Sequence, residues 1–167
     1  MGHLQITHSA GLMFFVTQLR ARRVHALMRN HGLPLDLVDT ITVEFEGGAL
    51  GTVGGNGMHR KLDLQIHCER GCIDMDMVAD TTVVRYGDGH QEALDPPTDT
   101  TPSYPRFAPA DNLADIILGR AGNQSPATIG WRTVELLDAA YRSAQADGQA
   151  IMVEDLYGHA WVMGDRD

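Results

Sequence analysis

Residues Leu33 to Gly55 read LPLDLVDTITVEFEGGALGTVGG, and this stretch decides the fold class. Ile41, Val43 and Phe45 alternate with Thr40, Thr42 and Glu44, the period-two pattern of a strand with one buried face. Gly47-Gly48 turns the chain, and Leu50 to Gly55 returns as a strand of small residues. Asp36 and Asp39 precede the first strand, where carboxylates commonly cap turns, and they read as structural.

The same period extends in both directions. Upstream, Val24, Ala26 and Met28 alternate with His25, Leu27 and Arg29, and His31 to Pro34 is a loop. Downstream, Leu62, Leu64, Ile66 and Cys68 form one strand pattern, and Glu69-Arg70-Gly71 is a turn. Ile73, Met75 and Met77 form the next pattern, and Thr82 to Tyr86 is a further strand closed by Gly87-Asp88-Gly89.

Helical spacing lies outside these strands. Leu12, Phe15, Val16 and Leu19 predict one buried stripe of an opening helix, with Thr7 or Ser9 as its cap and Arg20, Arg22 and Arg23 at its C-terminal end. Asp95 to Pro105 holds four of the seven prolines and reads as a long loop, a candidate functional segment. Leu113, Ile116 and Ile117 give a second helix its apolar face, and Gly119 ends it. Ser125-Pro126 starts a third, with Val134, Leu137, Ala140, Tyr141 and Ala144 as its stripe, before a short strand at Ala150 to Val153. Strands in a run with segregated helices predict an α+β fold: an antiparallel or mixed open sheet with helices packed on one face. Residues 1–153 form the expected domain, and 154–167 a polar C-terminal tail.

Composition narrows the function classes. The chain has 167 residues and a formal charge of -9. That charge argues against a nucleic-acid partner, which needs a basic face, and against an anionic membrane surface. The apolar run Gly11 to Val16 is too short to span a bilayer and lacks signal-peptide flanks. A cytoplasmic location is expected. Cys68 and Cys72 are too few for a disulfide framework. No Gly-x-Gly-x-x-Gly turn leads from a strand into a helix, because Gly51 to Gly57 runs on into another strand pattern.

Taken together, three segments carry a resemblance. Leu33 to Gly55 resembles the first hairpin of the C-terminal domain in the glucose–fructose oxidoreductase / inositol dehydrogenase (Gfo/Idh/MocA) family. LQIHCERGCIDMD, Leu64 to Asp76, resembles the next hairpin. SPATIGWRTVELLDAAYRSAQADGQAI, Ser125 to Ile151, is similar to the final helix and strand. The resemblance covers residues 2 to 153. It implies an α+β domain that lines a substrate cleft and pairs subunits through its open sheet, beside a Rossmann domain that binds NAD(P). That Rossmann half and the segment carrying the family's catalytic lysine are missing from these 167 residues. NAD(P) is therefore expected only with a Rossmann partner, such as a separate subunit.

The resemblance implies one catalytic position. THSAGLMFF places His8 where the family has an acid/base histidine at the substrate hydroxyl. The family's frequent carboxylates four residues before and three after are Leu4 and Gly11 here. Read from chemistry alone, His8 is either a general acid/base or a helix-start histidine bonded locally.

Tyr104 and Arg106 follow the proline-rich loop and could grip a polar or carboxylated substrate, or the tyrosine could simply pack. His59, His67, Cys68 and Cys72 lack zinc-knuckle spacing, and neighbours His67 and Cys68 point to opposite strand faces, so no metal is expected. Asp74 and Asp76 read as a solvated polar face, and Trp131 as core or interface.

Two functions stay open. The first is a substrate-cleft and oligomerisation domain of an NAD(P)-dependent oxidoreductase of this family, not redox-competent alone. The second is a stand-alone, cofactor-independent isomerase, lyase or cyclase using His8. A homodimer through the open sheet face is expected, with Thr42, Gln65, His67 and Asp74 on that face.

Overall fold

The period-two segments do fold as strands. A computed structural model describes residues 2–57, 61–94 and 107–153. The order is α1 (Gly2–Thr17), β1 (Ala21–Arg29), β2 (Val38–Phe45), β3 (Leu50–Asn56), β4 (Asp63–Cys68), β5 (Gly71–Asp76), β6 (Thr81–Tyr86), β7 (Gln91–Leu94), α2 (Ala108–Ile117), α3 (Ala127–Gln145) and β8 (Ile151–Met152). The fold is α+β, and its strands form two four-stranded antiparallel sheets. Contacts divide the chain into two compact units, Met1–His59 with Ala127–Asp167, and Arg60–Pro126.

The first unit holds the sheet ordered β3-β2-β1-β8. Its inward face carries Val24 and Ala26 from β1, Ile41, Val43 and Phe45 from β2, and Val53 from β3. Helices α1 and α3 cover that face: Phe14 and Leu136 are both fully buried in the same core. Burying a side chain of this size contributes roughly 1.5–3 kcal/mol.

Helix α1 is rotated relative to the predicted stripe. Ile6, Ala10, Met13 and Phe14 face the core, whereas Phe15 is 53% and Val16 39% exposed. The helix is apolar on both sides, so spacing alone does not select its buried face. Thr7 and Ser9 lie inside the helix rather than capping it, and its last turn carries no basic residue. Arg22 and Arg23 belong to β1 instead. A bulge between Ala21 and Arg23 lets both arginines reach Glu44 on β2, Arg22 at 3.1 Å.

On α3 the inward residues are Thr133, Leu136, Leu137, Ala140 and Ser143, and Val134 is exposed. The true stripe lies beside the predicted one, because Thr133 and Ser143 are polar and did not register as core. Thr133 satisfies its hydroxyl on the Ile129 carbonyl at 2.8 Å.

The second unit holds the meander β4-β5-β6-β7. Gly71 makes the β4–β5 turn possible, since a Cβ there would collide with the Arg85 carbonyl. Strand β7 escaped the sequence reading. All four of its residues are exposed, so an edge strand without a buried face shows no alternation. Gln65, His67, Cys72, Asp74 and Arg85 share one face of this sheet. Gln65 donates to Asp74 and accepts from His67 Nε2–H at 3.0 Å, and Asp74 pairs with Arg85. Helix α2 ends at Ile117 with Leu118 as its C-cap, and Gly119 takes φ +69° as expected of a stop. Its predicted apolar face is not buried: Leu113 and Ile117 are exposed, the latter at 76%.

Candidate functional site

His8 sits midway along α1 and is exposed. Residues four and seven further on share its face of the helix, which places His8, Leu12 and Phe15 in one row. Of the predicted stripe, Phe15 and Val16 thus face outward, Leu12 is half-buried and Leu19 packs against the core. Among the described residues no hydrogen bond or ion pair reaches the imidazole. Tyr104 and Arg106 lie outside the described residues, as do His59 and the loop from Asp95 to Pro105.

A second cluster escaped the sequence reading. Asp39 is only 2% exposed, and neither of its carboxylate oxygens meets a hydrogen-bond donor. Its neighbour Asp36 accepts the Tyr141 hydroxyl at 2.9 Å on one oxygen, while its other oxygen is also buried without a donor. The sequence did contain a signal. Asp39 is in phase with the inward residues Ile41, Val43 and Phe45, so the strand carries its side chain to the buried side. Opposite it on β3 is Gly55, which leaves room: a Cβ there would fall 2.9 Å from Ile6 Cγ1 and 3.7 Å from Asp39 Oδ2.

Burial, then the adjacent Asp36 carboxylate, push Asp39 up to about 7, against a weaker attraction to the amino-terminal charge. For Asp36 burial acts upward too. The Tyr141 hydroxyl, its own backbone N–H and the Asp39 carboxyl outweigh it and hold Asp36 below the ordinary carboxylate range. Burial and the Asp36 carboxylate raise Tyr141 above the usual phenol range, so it stays a donor. Two facing carboxylates are both acceptors, and they become partners only when one carries a proton. Asp36 and Tyr141 also line an open cleft of about 480 Å³, walled by Met28, Arg29, Pro34 and Leu35 on one side and Ala144 and Gln145 on the other. That is within the ordinary size range of small-ligand sites.

The described residues do not fit a nicotinamide dinucleotide. Gly51, Gly54 and Gly55 lie in β3, where they are laddered to β2, and no helix follows to receive a pyrophosphate. Among the described residues no group of three His, Cys, Asp or Glu side chains is placed to hold a metal ion. Cys68 and Cys72 are free thiols. No helix among those residues is long and apolar enough to cross a membrane.

Neither a protein-family model nor a curated protein sequence matches the chain. Solved structures do match. An oxidoreductase domain protein from Kribbella flavida shares the fold at a TM-score of 0.77 and 14% identity, over 89% of this chain and 48% of that one. The aldose-aldose oxidoreductase of Caulobacter crescentus, solved with glycerol, matches at 0.73 and 14%, over 87% and 45%. The WlbA dehydrogenase of Bordetella pertussis, solved with NADH and UDP-GlcNAcA, matches at 0.65 and 19%, over 90% and 44%. The chain therefore has the fold of part of these oxidoreductases and spans about half their length.

Proposed function

We propose that this chain, which shares its fold with about half of several oxidoreductases, is a substrate-cleft and oligomerisation domain of the Gfo/Idh/MocA type. It works with a nucleotide-binding domain that these 167 residues do not supply. The observation that carries the reading is the outward face of α1. His8, Leu12 and Phe15 form a row that is apolar apart from one titratable ring. An exposed apolar row of this kind is complementary to another protein surface or a bound substrate. In that setting His8 takes or returns the proton of a substrate hydroxyl while hydride moves to or from NAD(P) held by the other domain.

The stand-alone isomerase, lyase or cyclase reading would also use His8. It would need a second proton-handling group beside the ring, and among the described residues none is hydrogen-bonded or ion-paired to it. A second copy is proposed to pair through an open sheet face.

The test is reconstitution. Calorimetric titration of NADH into the chain alone should give no saturable heat. Combining the chain with its nucleotide-binding partner should give NAD(P)H-dependent turnover that His8→Ala lowers by about 10²–10⁴, the usual contribution of a positioned acid/base. Micromolar NADH binding by the chain alone, or full activity in the variant, would overturn the reading.

A further inference from the structure

We propose that Asp39 and Asp36 share one proton, and that releasing it frees the segment Asn30 to Leu37 and widens the adjoining cleft. The pair is a proton-operated latch on the rim of that cleft.

The geometry requires a donor. Asp36 Oδ2, Asp39 Oδ1 and Asp39 Oδ2 are closed off from solvent, and none has a hydrogen-bond partner. Among the described residues no element packed around them supplies a cation. On β1 the partner of Asp39 is Met28, and neighbouring Arg29 turns its guanidinium to the Met28 carbonyl at 2.9 Å. On β3 the partner is Gly55, which has no side chain. From α1 comes Ile6, and from α3 the Tyr141 hydroxyl, already given to Asp36 Oδ1. Arg142 pairs with Asp138 at 3.1 Å on the same helix. Among the described residues no ion pair reaches either carboxylate. A proton on one Asp39 oxygen donates to Asp36 Oδ2 and partners two of the three buried atoms. Its loss to solvent leaves two facing anions in a closed space, which is costly.

The weaker of the two supports then gives way. Asp39 is fixed in the middle of the sheet by ladders on both sides. Asp36 lies in a segment with no ladder partner from Asn30 to Leu37: Leu33 N–H reaches the Asn30 carbonyl at 3.0 Å, Gly32 N–H the Asn30 Oδ1 at 3.2 Å, Leu37 N–H the Arg29 carbonyl at 2.8 Å, Gly57 N–H the Leu37 carbonyl at 2.8 Å, and the Tyr141 hydroxyl Asp36 Oδ1 at 2.9 Å. His31 is left-handed at φ +50°, which adds local strain. Such a segment opens at lower free energy than the sheet. Pro34, Leu35 and Asp36 form one wall of the cleft, and Tyr141, Ala144 and Gln145 form the other. Moving the first wall sets the width of the opening.

The test is hydrogen exchange at the Leu33 and Leu37 amides of the full chain, corrected for intrinsic rates, across about pH 5 to 8.5. The closed latch keeps its proton up to about pH 7, whereas an opened Asp39 releases it near 3.8. Opening should therefore grow by up to about tenfold per pH unit from pH 5 to 7 and level off above. Asp39→Asn, a permanent donor, should remove that slope. A flat wild-type profile, or the same slope in the variant, overturns the latch. Carbon-13 NMR of the wild-type carboxyls decides it even if Asp39→Asn does not fold. An Asp39 resonance titrating near pH 7 supports the latch, and one titrating near pH 4 refutes it.

Discussion

The Ser143 hydroxyl accepts the Ala26 N–H at 2.8 Å and donates to the Gln149 carbonyl at 2.6 Å. One fully buried side chain thus joins α3, β1 and the turn after α3. It stands in for sheet pairing, because β8 meets β1 only at Arg23 and Val24 and does not extend to Ala26. Ser143→Ala should leave a buried N–H without an acceptor and cost about 1–3 kcal/mol. A lowered urea midpoint with an unchanged m-value is the expected reading. An unchanged midpoint would mean that the Ala26 N–H finds another acceptor.

Neighbouring phenylalanines on α1 should behave in opposite ways. Phe14 is fully buried, and Phe14→Ala should cost about 3–5 kcal/mol. Phe15 is half-exposed on the His8 face, and Phe15→Ala should change stability by no more than about 0.5 kcal/mol. If a second domain covers this face, Phe15→Ala should instead weaken that association. Equal stability losses in the two variants would contradict the observed orientation of α1.

The Asp39 carboxyl makes stability depend on pH. Its folded pKa, about 7, lies above the ordinary 3.8. Its contribution is therefore fully present below about pH 3.8 and is lost as pH rises through about 7. Asp36 acts in the opposite sense: its lowered pKa contributes stability that disappears as pH falls below the ordinary carboxylate range. Between about pH 4 and 7 wild-type stability should decline with rising pH, and Asp39→Asn should flatten that decline. Urea midpoints measured in parallel on both proteins isolate this pair from the general repulsion of a chain of charge -9.

Association through an open sheet face predicts twice the 18.2 kDa monomer mass by light scattering at micromolar concentration. Gln65→Arg should lower that mass, because it replaces a neutral donor to Asp74 with a cation that repels its copy across a two-fold axis. A monomer mass across a tenfold dilution series would refute the pairing.

Gly55→Val tests the space beside the buried carboxylate. Its Cβ would sit 2.9 Å from Ile6 Cγ1, and the larger side chain would press on Asp39 Oδ2 as well. Overpacking of this kind costs typically about 1–3 kcal/mol. Full stability in the variant would show that α1 can shift away from β3 at that point.

The strands were legible because one face of each is buried and the other is wet. Ile41, Val43 and Phe45 could alternate only that way, and β2 lies where the pattern puts it. Strand β7 had no such contrast and was invisible. The candidate site divides along the same line. His8 was found through resemblance, because a single histidine has no pattern of its own. Asp39 reads as a turn cap from its local sequence, although its place two residues before Ile41 makes it inward-facing.

Local sterics and a period of two are enough to set the α+β class, the β2–β3 hairpin with its Gly47-Gly48 turn and the β4–β5 hairpin with its turn at Gly71. Which side of α1 is core follows from packing, not from spacing. The helix is apolar around both faces, and only packing against β3 and α3 sends Phe14 inward and leaves Phe15 beside His8. Packing also decides that Asp39 meets Asp36 and Tyr141. Tyr141 lies 105 residues from Asp36, so the shared environment that shifts their protons exists only once α3 is laid across the sheet.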